Sequence, residues 1–164
     1  MKQVDLIRHR IIGISEVPQL VSRWRVLKKK IAFTNGVYDI LHAGHIDSLS
    51  AAAREADYLI VGVNSDASVR RLKGPSRPVN DQDSRALLLA SLVMVDAVVI
   101  FEEDTPLELI RIAMPDVLVK GGDYTIEQIV GAREVMDAGG RVVINDIREG
   151  FSTTGIIERL ASKG

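Results

Sequence analysis

The sequence predicts an α/β fold: a Rossmann-like, doubly wound parallel sheet of about five strands, built by a single domain spanning residues 1–164. Three observations lead there. Short apolar runs rich in Val and Ile alternate with stretches whose apolar residues fall at helical spacing. The 164 residues are enough for one domain with a real core and too few for two ordinary ones. A hydrophobic share of 46% beside 26% charged residues describes a globular chain rather than a disordered one.

Residues 1–29 read as an N-terminal helical extension. Ser15 suits an N-cap, and Val17, Leu20, Val21 and Trp24 follow at helical spacing. Residues 30–34 read as the first strand. Residues 43–56 read as a helix with Ile46, Leu49 and Ala53 on one side. Residues 58–63 are continuously apolar, as a buried parallel strand requires. The polar stretch 64–80, with Gly74, Pro75 and Pro78, reads as a long loop of the kind that carries function. A helix is expected over 81–92 and a strand over 97–101. Asp104, Thr105 and Pro106 open the next helix, with proline in its first turn. A strand over 116–120, a helix over 125–138 stopped by Gly139 and Gly140, a strand over 141–144 and a helix over 152–160 complete the series. Right-handed crossovers place helices on both faces of such a sheet, and ligands bind at the carboxyl ends of the strands where the winding reverses.

Charge and composition narrow the function. A net charge of -1 argues against nucleic acid as a partner. The basic run 23–30 is the local exception and reads as a solvated helix end, where cations suit the helix dipole. With no cysteine, disulfides, thiolate catalysis and cysteine zinc sites are excluded. The charged first ten residues lack a signal-peptide core, and no apolar stretch has the length of a membrane span. The expected location is the cytosol, away from membrane.

The chemistry concentrates after the first strand, in Thr34-Asn35-Gly36-Val37-Tyr38-Asp39-Ile40-Leu41-His42-Ala43-Gly44-His45. Two of the chain's three histidines lie three residues apart where a strand hands over to a helix. That spacing puts both imidazoles on one side of a helix N-terminus, whose free N–H groups attract phosphate. Glycine lets the backbone approach a ligand closely. A plainer reading has His42 capping the helix and His45 buried and hydrogen-bonded. A metal pair lacks acidic or cysteine partners at ligand spacing. The GxGxxG and GxxxxGK[ST] loops are absent, so ordinary dinucleotide and P-loop readings fail. His9 stands outside any motif and reads as a solvated residue.

His42-Ala43-Gly44-His45, preceded by Thr34 to Asp39 as quoted, resembles the nucleotidyltransferase superfamily marked by His-x-Gly-His. The resemblance covers about residues 30–160 and is strongest to the nucleotidyltransferase branch of ADP-heptose synthases. It rests on Val63-Asn64-Ser65-Asp66, Arg71-Leu72-Lys73-Gly74, Arg77-Pro78-Val79, Phe101-Glu102-Glu103-Asp104-Thr105-Pro106, Leu118-Val119-Lys120-Gly121-Gly122-Asp123-Tyr124 and Ser152-Thr153-Thr154. It implies a module without the kinase domain that precedes it in some bifunctional relatives.

The resemblance also implies roles. His42 and His45 donate hydrogen bonds to the α-phosphate of a nucleoside triphosphate. Lys73 closes over the phosphates, with Arg77 a weaker candidate of the same kind, and Arg85 reaches the triphosphate from the helix over 81–92. Ser152, Thr153 and Thr154 take the β- and γ-phosphates at a helix N-terminus. Thr34, Asn35, Gly36 and Tyr38, with Lys120, Gly121, Gly122 and Asp123, surround the nucleotide, Asp123 either taking the ribose or helping to hold the fold. Apart from the resemblance, Asp39 reads as a structural residue that orients the loop. Magnesium accompanies ATP, held by phosphate oxygens and water rather than by protein ligands.

Glycerol-phosphate cytidylyltransferases carry Arg-Thr-Glu-Gly-Ile-Ser-Thr-Thr where this chain has Ile147-Arg148-Glu149-Gly150-Phe151-Ser152-Thr153-Thr154. Ile147 therefore replaces an arginine. This departure favours ATP and heptose 1-phosphate over CTP and glycerol 3-phosphate. The expected partners are ATP and a sugar phosphate, with a homo-oligomer as the assembly to test. The rival from another class is a non-catalytic nucleotide-binding protein.

Overall fold

The computed structural model describes residues 5–146 and 153–162. Along the chain run α1 (Leu6–His9), β1 (Ile11–Ile12), a 3-10 turn (Ile14–Glu16), α2 (Val17–Val26), β2 (Ile31–Gly36), α3 (Ala43–Ala53), β3 (Tyr58–Asn64) and α4 (Asp66–Lys73). They continue with α5 (Gln82–Ala90), β4 (Ala97–Phe101), α6 (Leu107–Ala113), β5 (Val117–Gly121), a 3-10 turn (Ile126–Gln128), α7 (Ala132–Asp137), β6 (Arg141–Asn145) and α8 (Thr153–Ala161). No helix among the described residues is long and apolar enough to cross a membrane.

Six strands form one sheet in the order β1-β4-β3-β2-β5-β6, and each pairing is parallel. The chain winds outward from β2 through β3 and β4, then crosses back to lay β5 on the other side of β2. The winding therefore reverses between β2 and β5, which opens a crevice at their carboxyl ends.

Successive strand residues point to opposite faces, so the sheet has a core on each side. Phe33, Ile60, Val99 and Leu118 pack with α2, α6 and α7 on one face. Ala32, Val61, Val98 and Val119 pack with α3 and α5 on the other. Burial on both faces is why these strands read as continuous apolar runs, and each fully buried Leu, Ile or Phe contributes about 1.5–3 kcal/mol. Trp24 stacks on Tyr58 at 4.3 Å, which fastens α2 to the start of β3.

The structure corrects several expectations. The sixth strand is β1, two residues long and too short for a sequence pattern to reveal. It pairs with β4, and Arg10 beside it donates to the carbonyls of Ala90, Leu92 and Val95. The 64–80 stretch is not one loop, because it contains α4. Ser65 caps that helix by accepting from Ser68 N at 3.1 Å, and Asp66 opens it while Arg70, Arg71 and Lys73 close it. These charges complement the helix dipole, and Val69 is fully buried although the segment is polar overall.

The expected helix over 125–138 is divided. Gly131 adopts φ +83, and a Cβ there would stand 2.6 Å from Ile110 Cδ1. Glu16, not Ser15, is the N-cap of α2, and Pro106 is the N-cap of α6 rather than its first-turn residue. The basic run is more than a solvated helix end, because Lys29 pairs with Asp57 and Lys30 with Asp116 at the amino ends of the strands.

Candidate active site

The loop from β2 to α3 sits beside the point where the winding reverses. Gly36 ends β2, and a Cβ on it would lie 3.0 Å from the Tyr38 ring. Tyr38 itself takes a left-handed φ of 50. These two residues turn the chain sharply enough to bring His42 to the N-cap of α3. The His42 carbonyl accepts from His45 N at 2.9 Å and from Ile46 N at 3.3 Å. Its side chain makes no capping bond, so the cap is a main-chain one.

The two imidazoles stack with centroids 3.8 Å apart and planes 20° apart, and the Tyr38 ring meets His45 edge-on at 5.3 Å. Burial pushes the His45 imidazole down to about 4, with the neighbouring His42 adding to the fall and a backbone hydrogen bond with Ile40 opposing it. Burial also lowers His42. At neutral pH both rings are therefore neutral with one N–H each, and the His45 imidazole is engaged by the Ile40 backbone. Burial raises Tyr38 to about 12 against the opposing hydrogen bond with Thr34, so it too keeps its proton.

A cavity of about 340 Å³ opens here, between the ends of β2 and β5 and the start of α8. Of the residues expected at the site, Thr34, Asn35, Gly36, Tyr38, His42, His45, Lys120, Gly121 and Thr153 line it. Among the described residues, no carboxylate lines it, and Lys120 is the cation that does. Its Nζ donates to Asn35 Oδ1 at 3.4 Å and lies 5.9 Å from the centroid of the Tyr124 ring, and burial lowers its pKa. A smaller adjoining cavity of about 190 Å³ shares Asn35, Lys120 and Tyr124 and is otherwise walled by Pro106, Leu118, Gln128, Ile129 and Val130. Thr153, the first residue of α8, donates from Oγ1 to the Ile40 carbonyl at 3.5 Å and so ties that helix start to the histidine loop.

Other expected residues are not brought to the cavity. Lys73 is exposed at the last turn of α4 and is not part of the wall. Arg85, expected at the triphosphate, is fully buried below the loop. Its guanidinium donates to Val37 O at 2.7 Å, Asn64 O at 2.8 Å, Asn80 O at 3.0 Å and Asp66 Oδ1 at 2.7 Å. Four protein acceptors hold it there, which is why it does not project into the crevice. Arg77 pairs with Asp39 at 2.6 Å instead of facing solvent. Gly122 turns away with φ 125 and donates to Asn145 O at 3.1 Å, and Asp123 is exposed beyond it. Ile147, Ser152 and the Thr154 side chain lie outside the described residues. His9 is exposed, as expected.

The sequence reading missed Ser48, which lines the cavity on α3 one turn beyond Gly44, a motif residue that was given no site role. Helical spacing from His45 was the available signal, since residues three and four apart share a face. Tyr124 was part of a quoted motif but had no assigned role, and it lines both cavities. Asn145, at the end of β6, keeps a buried side-chain Nδ2 without a hydrogen-bond acceptor among the described residues.

Comparison with known proteins agrees with this geometry. Residues 33–159 match the family described as cytidylyltransferase-like. A curated relative named bifunctional protein HldE, from Mesorhizobium japonicum, is 57% identical over 150 residues, which is 92% of this chain and 30% of the relative. The protein of the same name from Rhodospirillum rubrum is 53% identical over 151 residues, again 92% of this chain and 30% of the relative. The chain thus spans about 30% of the length of these curated relatives. Among solved structures, the lipopolysaccharide core biosynthesis protein from Thermoplasma volcanium superposes with a TM-score of 0.58 at 29% identity, over 73% of this chain and 97% of that one. A pantoate-beta-alanine ligase from Francisella tularensis, at 17% identity, shares the fold with a TM-score of 0.59 over 93% of this chain and 76% of the ligase. With its histidine pair on the loop after β2 and a family match over most of its length, the chain belongs to the cytidylyltransferase-like family of nucleotidyltransferases.

Proposed function

We propose that this chain is an adenylyltransferase that moves AMP from ATP onto heptose 1-phosphate, giving ADP-heptose and pyrophosphate for lipopolysaccharide precursor synthesis. The observation that carries the reading is the stacked, neutral histidine pair at the N-terminus of α3, facing a cavity where the sheet winding reverses. The motif matches to the heptose branch, the curated relatives named HldE and the solved lipopolysaccharide core biosynthesis protein support the choice of substrates.

In this reading a phosphate oxygen of the sugar phosphate attacks the α-phosphorus in line. A new P–O bond forms, the bond to the β-phosphate oxygen breaks, and pyrophosphate leaves with that electron pair. Such a reaction needs positioning and charge stabilisation more than a covalent nucleophile. His42 and His45 donate to the α-phosphate as charge builds on its oxygens, and Lys120 adds positive charge beside Asn35. The first-turn N–H groups of α3, together with Ser152, Thr153 and Thr154 at α8, receive the remaining phosphate oxygens. Lys73 swings from the end of α4 to cover them. Thr34, Gly36, Tyr38, Gly121, Gly122 and Asp123 complete the nucleotide's surroundings. Magnesium enters as part of the nucleotide substrate. A cation held by phosphate oxygens and water needs no protein carboxylate. The cytoplasm, which supplies ATP, is the proposed compartment.

The test is pyrophosphate release with ATP, CTP or GTP, each paired with heptose 1-phosphate or glycerol 3-phosphate at equal magnesium. ATP with heptose 1-phosphate is expected to give the highest kcat/KM. A clear advantage for CTP with glycerol 3-phosphate would replace the heptose assignment by a cytidylyltransferase of the glycerol-3-phosphate type. No transfer with any pair would favour a nucleotide-binding protein.

A further inference from the structure

Arg85 is the largest fully buried side chain of the protein's described residues, and it is charged. Removing a guanidinium from water is costly unless its donors are matched, and here four of its five N–H groups are bonded. Its acceptors are the last residue of β3, the first residue after β2, the main chain at Asn80 and the Asp66 carboxylate at the start of α4. A single side chain thus ties together the carboxyl ends of two neighbouring strands and two connecting segments.

Asn80 continues the network. Its carbonyl accepts from Arg85, while its N–H donates to Asp39 Oδ1 at 2.9 Å and its side chain donates to Asp39 O at 2.6 Å. Asp39 is only 2% exposed. Its carboxylate also accepts from Val79 N at 2.8 Å and from Arg77 Nε at 2.6 Å. Two carboxylates, Asp39 and Asp66, balance the two guanidiniums of Arg77 and Arg85. On the histidine loop the Val37 carbonyl, the Asp39 carbonyl and the Asp39 side chain are therefore all held from the 77–80 segment or from α5. His42 is three residues beyond Asp39, and Tyr38, which lies against His45, is between the held positions.

We propose that Arg85 and Asp39, joined through Asn80, are positioning residues that fix the histidine loop on the ends of β2 and β3 so that both imidazoles face the cavity. The inference rests on the nucleotidyl-transfer reading for its kinetic consequence and on the hydrogen-bond network alone for its structural one. Arg85 acts from beneath the loop through main-chain carbonyls, not by contact with phosphate. Asp39 acts through the two N–H groups and the guanidinium it gathers.

The test uses the full chain with Asp39→Asn and, separately, Asn80→Ala. Asparagine nearly matches the aspartate in shape but turns an NH₂ group toward donors that need an acceptor. Asn80→Ala removes only the side-chain bond to Asp39 O and leaves the main-chain bonds in place. Both variants are expected to fold and to bind ATP with magnesium within about threefold of the parent by calorimetry. Turnover is expected to fall about 100-fold in Asp39→Asn, because a displacement near 1 Å costs that much in a reaction that depends on alignment. A smaller fall is expected in Asn80→Ala. In the ligand-free proteins the ring proton signals of His42 and His45 are expected to shift, a change that lower global stability alone does not produce.

Unchanged histidine signals with turnover within threefold of the parent would overturn the proposal. So would equal losses of turnover and ATP affinity. If Asp39→Asn does not fold, Asn80→Ala decides by the same criteria. If the parent transfers no nucleotide with any substrate pair, the proposed function fails, while the ring signals still decide whether the network positions the loop.

Discussion

Replacing His45 by alanine separates a reaction role from a folding role. The main-chain bond from His45 N to His42 O is untouched by the change, so the first turn of α3 stays closed. What disappears is the ring stacked at 3.8 Å on His42, which lines the cavity. Losing one donor to a developing phosphate charge costs about 2.7–4 kcal/mol of transition-state stabilisation, or about 10²–10³ in kcat.

Stability responds to pH in a defined direction. The His45 imidazole falls from an ordinary 6.5 to about 4 in the folded protein, chiefly through burial. Between those values the unfolded chain binds more protons than the folded one. The neutral ring's contribution is therefore complete above about pH 6.5 and is lost as pH falls toward 4. The ceiling is about 3 kcal/mol, and the ring's partial access to water through the cavity reduces it to about 1–2 kcal/mol.

Pyrophosphate release at saturating ATP measures the first effect. Urea unfolding at pH 7 and pH 5, followed by circular dichroism, measures the second. The variant is expected to lose turnover and also to lose less stability on acidification than the parent. A well-folded His45→Ala protein with turnover within threefold of the parent would refute the reasoning.

His42→Ala is expected to show a turnover loss of the same order, measured by the same pyrophosphate assay, with the fold preserved in circular dichroism. Lys120→Met preserves most of the side-chain volume but removes the charge shared by the two cavities. It is expected to lower kcat/KM by about 10- to 100-fold, consistent with a charge-assisted bond of about 1.5–3 kcal/mol, and an unchanged value would remove Lys120 from the reaction. Hydrogen exchange with and without ATP and magnesium should show added protection centred on the Ser76 amide, because α4 is a capped helix, Gly74 N already donates to Arg70 O, Pro75 has no N–H and the 77–80 segment is held by Asp39; protection spread evenly over 64–80 would mean that the whole stretch moves. Gly140→Ala should destabilise by about 1–3 kcal/mol in urea unfolding, since its Cβ would stand 2.8 Å from the Asp116 carbonyl oxygen. At Gly139 the added Cβ meets nothing within 4 Å and only the φ of +86 opposes it, so alanine there should cost about 1 kcal/mol.

Much of this protein follows from local rules that one strand or helix obeys by itself. The interior strands read correctly because burial on both faces demands unbroken apolar runs, as β3 and β4 show. The histidine pair was legible for a similar reason: three-residue spacing at a helix start places two side chains together whatever surrounds them. The cation assignments were of another kind. Sequence alone assigned both Lys73, in the expected loop, and Arg85, on the expected helix over 81–92, to the phosphates, yet Arg85 is sealed under the loop by four acceptors and Lys73 is exposed at the end of α4. Lys120 reaches the cavity because β5 returns beside β2, a neighbour 85 positions away in the chain. Two-residue β1 and the anchoring of 77–80 by Asp39 likewise depend on partners distant in sequence. A long, flexible cation has no preferred neighbour until the fold presents acceptors to it, so its destination is set by which carbonyls and carboxylates the tertiary structure leaves within reach.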